Sequence, residues 1–100
     1  GPRDGAVRGG AWGGAVTPFA VTLRAGRCYL FGVAGSESVG ALDLWLAGED
    51  GAVLGADTNE RERAAVYHCA RRDVRATVQV RLQGGRGEYV FESFESEGER

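Results

Sequence analysis

Cys28 and Cys69 are the only thiols in this chain of 100 residues; they stand 41 positions apart, each inside a strand-like segment. Two chemistries are open to such a pair. They close one structural disulfide in an oxidising compartment, or they stay as free thiols in a reducing one. Distant cysteines in a small strand-rich domain favour the disulfide. A loop of this length restricts the unfolded chain by roughly 4 kcal/mol on the chain-entropy argument, a large share of the ~5–15 kcal/mol by which domains are stable. Zinc is poorly served: there is no C-x-x-C, and His68 is the sole histidine, so carboxylates would have to complete the set. Nucleophilic catalysis lacks its parts as well. His68 and Cys69 are neighbours on a strand and point to opposite faces. No G-x-S-x-G elbow is present, and Ser36 and Ser38 fall in a loop-like stretch without a distinct base. The chain is expected not to be an enzyme.

Binding chemistry has better material. All 12 basic residues are arginine, with Arg61, Arg63, Arg71, Arg72, Arg75, Arg81 and Arg86 gathered in the second half. Guanidinium forks suit carboxylates and phosphates, and Arg75 and Arg81 stand on the polar side of a strongly alternating strand. Trp45 lies on the side of its strand away from Leu42, Leu44 and Leu46, as a platform for a sugar or a protein. The plainer alternatives are solvated ion pairs beside Glu60, Glu62, Asp73 and Glu88, and a Trp45 covered by the N-terminal segment. A net charge of −2 argues against nucleic acid as a partner. No apolar run approaches the roughly 20 residues of a membrane-spanning helix.

The elements that must position these side chains have period two. Phe19, Val21 and Leu23 alternate with small or polar residues. Tyr29, Phe31 and Val33 share a side between Cys28 and Val33. Leu42, Leu44 and Leu46 do so between Ala41 and Ala47. Asp50-Gly51 is a hairpin signal before the short return strand Ala52–Leu54. A strand follows at Ala65–Ala70. The clearest alternation is Val74, Ala76, Val78, Val80 and Leu82 against Arg75, Thr77, Gln79 and Arg81. Gly84-Gly85-Arg86-Gly87 is expected to turn this strand back into Glu88–Phe94. The charged stretch Thr58–Ala65 reads as a loop. The expectation is one all-β domain, an antiparallel β-sandwich of about seven to eight strands. Residues 15–94 form the sandwich, residues 1–14 a loose glycine-rich arm with Trp12 as its anchor, and residues 95–100 an acidic solvated tail. Gly1-Pro2 has the look of a protease-cleavage remnant and carries no weight in the fold. A Cys28–Cys69 bond is expected to tie the two halves of the sandwich together.

The order Leu23-Arg-Ala-Gly26-Arg-Cys-Tyr29-Leu-Phe31, Leu42-Asp43-Leu44-Trp45-Leu46, Asp50-Gly51-Ala-Val-Leu54, Asp57, Val78-Gln-Val80 and Gly87-Glu-Tyr89 resembles the bacterial pre-peptidase C-terminal domain family. The likeness spans residues 16 to 94. Ala41 stands where that pattern has its first aspartate, and Val74 and Ala76 replace its usual tyrosine. The resemblance implies a jelly-roll-like sandwich appended to exported proteins, without catalysis of its own. It also implies calcium as a candidate ligand, with Asp43 and Asp57 at the acidic positions; turn and solvent-face roles are the plainer reading of both. The functional expectation is an extracytoplasmic accessory module contacting domains of a parent protein or another protein. The alternative is a module for extracellular polysaccharide or matrix polymer, assisted by calcium.

Overall fold

The alternation that begins at Val74 marks the strand around which the whole fold is arranged. In the computed structural model, which describes residues 3–12 and 14–98, that strand runs unbroken for 24 residues. In chain order the strands are β1 (Arg3–Trp12), β2 (Val16–Leu23), β3 (Arg27–Gly35), β4 (Val39–Gly48), β5 (Val53–Asp57), β6 (Arg63–Cys69) and β7 (Val74–Glu97). A straight β7 would reach about 80 Å at ~3.3 Å per residue, almost twice the molecule's longest dimension of 42 Å. It therefore has to bend, and it changes sheets as it does so. Up to Gly85 it pairs with β2 and β4; from Arg86 it pairs with β1 and β3.

The expected hairpin at Gly84-Gly85-Arg86-Gly87 is thus a corner within one strand. Two observations locate it. Burial follows even positions from Ala76 to Leu82 and odd positions at Tyr89 and Phe91. The β4–β7 ladder also slips between Val39 and Leu42, as a bulge does where a strand crosses between packed sheets. Gly87 has φ +156°, and a Cβ there would stand 2.5 Å from the Ser38 hydroxyl and 2.7 Å from that of Ser36. A glycine lets the β3–β4 turn close over the corner.

The fold is an antiparallel β-sandwich. One sheet has the order β1-β7-β3-β6 and the other β2-β7-β4-β5, with β7 common to both. Leu42, Leu44, Leu46, Val78, Val80 and Leu82 of the second sheet face Tyr29, Phe31, Val33, Tyr89 and Phe91 of the first. Phe19 closes one side by stacking on Phe91, with ring centroids 4.6 Å apart. On the other side β5 and β6 approach so closely that a Cβ on Gly55 would lie 2.6 Å from Cγ1 of buried Val66. Gly55→Ala is expected to destabilise the protein by about 1–3 kcal/mol through overpacking, seen as a lower urea midpoint at unchanged slope. A change below about 0.5 kcal/mol would mean that Val66 simply turns aside.

Three further expectations are corrected. The segment read as a loose arm contains β1, which pairs with β7 from Arg3 opposite Phe94 to Trp12 opposite Arg86. Backbone pairing needs no side chain, so a glycine-rich stretch can form an edge strand without showing a periodic pattern. Residues 1–2, and the Trp12 side chain proposed as an anchor, lie outside what the structure describes. At the other end, Glu95–Glu97 of the supposed tail continue β7 against β3, and Glu95 pairs with Arg27 at 2.7 Å. Finally, Cys28 and Cys69 are bonded, but they stand directly opposite each other on β3 and β6, so the bridge lies within one sheet. It ties an edge strand to its neighbour and does not join the two sheets.

Candidate functional site

Because Leu42, Leu44 and Leu46 point inward, Asp43 and Trp45 of β4 must point outward. Register places them beside the outward residues of β7: Asp43 lies opposite Arg81, and Trp45 opposite Gln79. On the far side of β7, Val16 and Pro18 of β2 lie opposite Arg81 and Gln79. The outer face of the second sheet thus carries Trp45 and Arg81 to one side of the exposed apolar residues Val16 and Pro18 of the edge strand β2.

At the centre of this face is a network of polar side chains. Arg81 donates from Nη2 (2.7 Å) and Nε (3.1 Å) to Oδ2 of Asp43, and Gln83 donates from Nε2 to Oδ1 at 2.6 Å. Both carboxylate oxygens are engaged, and Asp43 is 0% exposed although it lies on an outward face. The Arg81 side chain itself is 44% exposed. Its guanidinium carbon stands 5.2 Å from the centroid of the Trp45 ring, a cation–π contact. Arg81 is therefore held by a carboxylate and a ring, with the rest of its fork open to solvent.

Trp45 and Arg81 are brought into contact. Arg75 is on the same face but six residues along β7, about 20 Å away, and it is exposed. Asp43 and Asp57, the calcium candidates, are not brought together. Asp57 is opposite Leu44 and so on the inner side of β4–β5, where its Oδ2 accepts a hydrogen bond from the Ala65 amide of β6 at 3.0 Å. Among the described residues no three His, Cys, Asp or Glu side chains converge as a metal would require. Cys69 is spent in the disulfide, and the Ser36 and Ser38 hydroxyls, 3.1 Å apart, contact each other at the surface. Gln83 completes the network without a motif of its own in the sequence. Its only signal is its parity with Arg81, which acquires meaning once β4 is known to lie alongside.

A second exposed row lies on the outer face of the first sheet. Leu30 is 41% exposed and Tyr67 is 65% exposed, in register with each other and with Phe94. Here the Tyr67 hydroxyl stands 3.4 Å from Sγ of Cys69.

The architecture defines a class: a small, disulfide-bridged antiparallel β-sandwich with an ordered Trp–Arg pair on one outer face. No protein-family model matches the chain, and no curated protein sequence does. Among solved structures it is similar to PliG of Aeromonas hydrophila, a periplasmic lysozyme inhibitor of g-type lysozyme, with a TM-score of 0.68 over 92% of this chain and 85% of that one. The identity is 12%, so the likeness is one of fold.

Proposed function

We propose that this chain is a non-catalytic, extracytoplasmic module that binds another protein through the outer face of its second sheet. The observation that carries this reading is Arg81 held between the Trp45 ring and the Asp43 carboxylate, whose other oxygen is fixed by Gln83. Tryptophan and arginine dominate the energetics of protein interfaces, and a side chain already ordered loses less entropy on binding. Val16, 51% exposed, and Pro18 supply apolar contact beside them. The polysaccharide alternative has less support, because a sugar stacking on Trp45 would compete with the guanidinium already there. The disulfide suits an oxidising compartment. PliG, described as periplasmic and as an inhibitor of an enzyme, is a precedent for such a sandwich binding a protein. A g-type lysozyme is accordingly the first partner to assay. A place within a larger exported protein, implied by the pre-peptidase-like strand motifs, belongs to the same proposal.

Site-specific photo-cross-linking tests the reading. A benzophenone amino acid replacing Gln79, between Trp45 and Pro18, is expected to give a discrete protein adduct when the protein is exported from its source cells. The adduct is expected to disappear with Trp45→Ala. The same group replacing Tyr67, on the other sheet, is expected to give none. Absence of an adduct from position 79, or adducts only from position 67, would overturn the assignment of this face.

A further inference from the structure

The end of the sandwich formed by the β4–β5 and β6–β7 turns holds an open cleft of about 970 Å³. Leu54 and Val74 contribute an apolar floor, and Arg71, Arg72, Arg75 and His68 stand around it. Among the described residues, none of these three arginines has an ion pair or a side-chain hydrogen bond. Carboxylates share the cleft, but two of them already accept backbone hydrogen bonds. Asp50 Oδ1 accepts from the Ala52 amide at 3.0 Å, and Asp73 Oδ1 accepts from the Ala25 amide at 2.9 Å. The first bond shapes the β4–β5 turn and the second ties the β6–β7 turn to the β2–β3 turn; neither answers a guanidinium fork.

The charge balance selects the kind of ligand. Three arginines face three carboxylates, Glu49, Asp50 and Asp73, so the cleft offers no net positive field to attract a polyanion. A single carboxylate is another matter. A free guanidinium fork accepts it in bidentate geometry, while the floor accepts apolar side chains next to it. The volume lies within the roughly 300–1,000 Å³ range of ligand pockets, and the cleft is open to solvent on one side. Arg75 borders the cleft and also lies on the outer face of the second sheet, so the two surfaces are continuous.

We infer that this cleft binds a short peptide segment of the partner protein in which one carboxylate is flanked by apolar side chains. The inference deepens the protein-binding reading above and rests on it.

The probe is the capped peptide acetyl-Ala-Leu-Glu-Leu-Ala-amide, titrated into the intact ¹⁵N-labelled protein and followed by amide shifts. Saturable shifts are expected at Arg71, Arg72, Arg75, His68 and the turn Glu49–Ala52. The counterpart with Gln for Glu is expected to bind at least about tenfold more weakly, having lost a charge-assisted hydrogen bond. The Arg71→Gln/Arg72→Gln variant is expected to lose the response while keeping the parent melting temperature, since both residues are exposed and unpaired. Equal response to the two peptides, shifts elsewhere only, or saturation by poly-glutamate alone would overturn the inference. A position-79 adduct that forms while the peptide leaves the cleft unmoved would sink this inference and spare the wider reading. Loss of the adduct itself would strike the wider reading first.

Discussion

Reduction of the Cys28–Cys69 bridge is expected to lower the melting temperature by roughly 15–30 °C, the largest single effect in this molecule. The bond closes a loop of 41 positions, and releasing it returns about 4 kcal/mol of chain entropy to the unfolded state. The structure adds where the loss should appear first. β6 is an edge strand whose sheet partner is β3, and the bridge joins those two strands at their ends. Amide exchange after reduction is therefore expected to accelerate in β6 well before β2 or β4. Scanning calorimetry with and without reductant, and of Cys28→Ala/Cys69→Ala, measures the size of the effect. A fall of less than about 5 °C would show that the unfolded chain gains little freedom when the bridge is opened.

The second large effect is expected at Arg81. Its truncation leaves the carboxylate of Asp43, 0% exposed, with Gln83 as its remaining side-chain donor. Removing one partner of a buried ion pair costs about 3–5 kcal/mol. Arg81→Ala is expected at the lower end, about 3 kcal/mol, because the arginine is 44% exposed and water enters once it is gone. Asp43→Asn should cost less, about 1–2 kcal/mol, since the guanidinium it abandons can turn to solvent. The asymmetry is the informative part. If urea denaturation finds Asp43→Asn costlier than Arg81→Ala, the carboxylate is better hydrated than its burial implies. Arg81→Ala should also reduce the position-79 cross-link, because Trp45 loses the group that stacks on it.

Much of the core was legible because one face of each strand had to be dry. Leu42, Leu44, Leu46, Ala76, Val78, Val80, Leu82, Tyr29, Phe31 and Val33 are buried as their period of two requires. Asp50-Gly51 makes its turn for a local reason: Gly51 has φ +85°, and the Asp50 carboxylate caps the Ala52 amide. The misreadings arise where one local signal serves two long-range outcomes. Gly84-Gly85-Arg86-Gly87 is suitable for a hairpin turn and equally for a strand corner; its neighbours on β1 and β3 decide which. The glycine-rich start shows no period because an edge strand is held through its backbone. Asp43 looks solvated when the chain is read alone, and becomes a buried anchor only when Arg81, 38 residues on, is laid beside it.

What the sequence by itself determined is the material: an all-β chain, the inward face of most strands, one pair of cysteines, and a Trp, Asp and Arg set outside the core. These follow from alternation and composition, which act within a few residues. Only the tertiary structure decided that β7 serves both sheets, that the disulfide lies within one of them, and that Trp45, Asp43, Gln83 and Arg81 form one ordered cluster. Those outcomes depend on strand order and register, and the pairing of residues far apart in the chain is set by the packing of the whole sandwich.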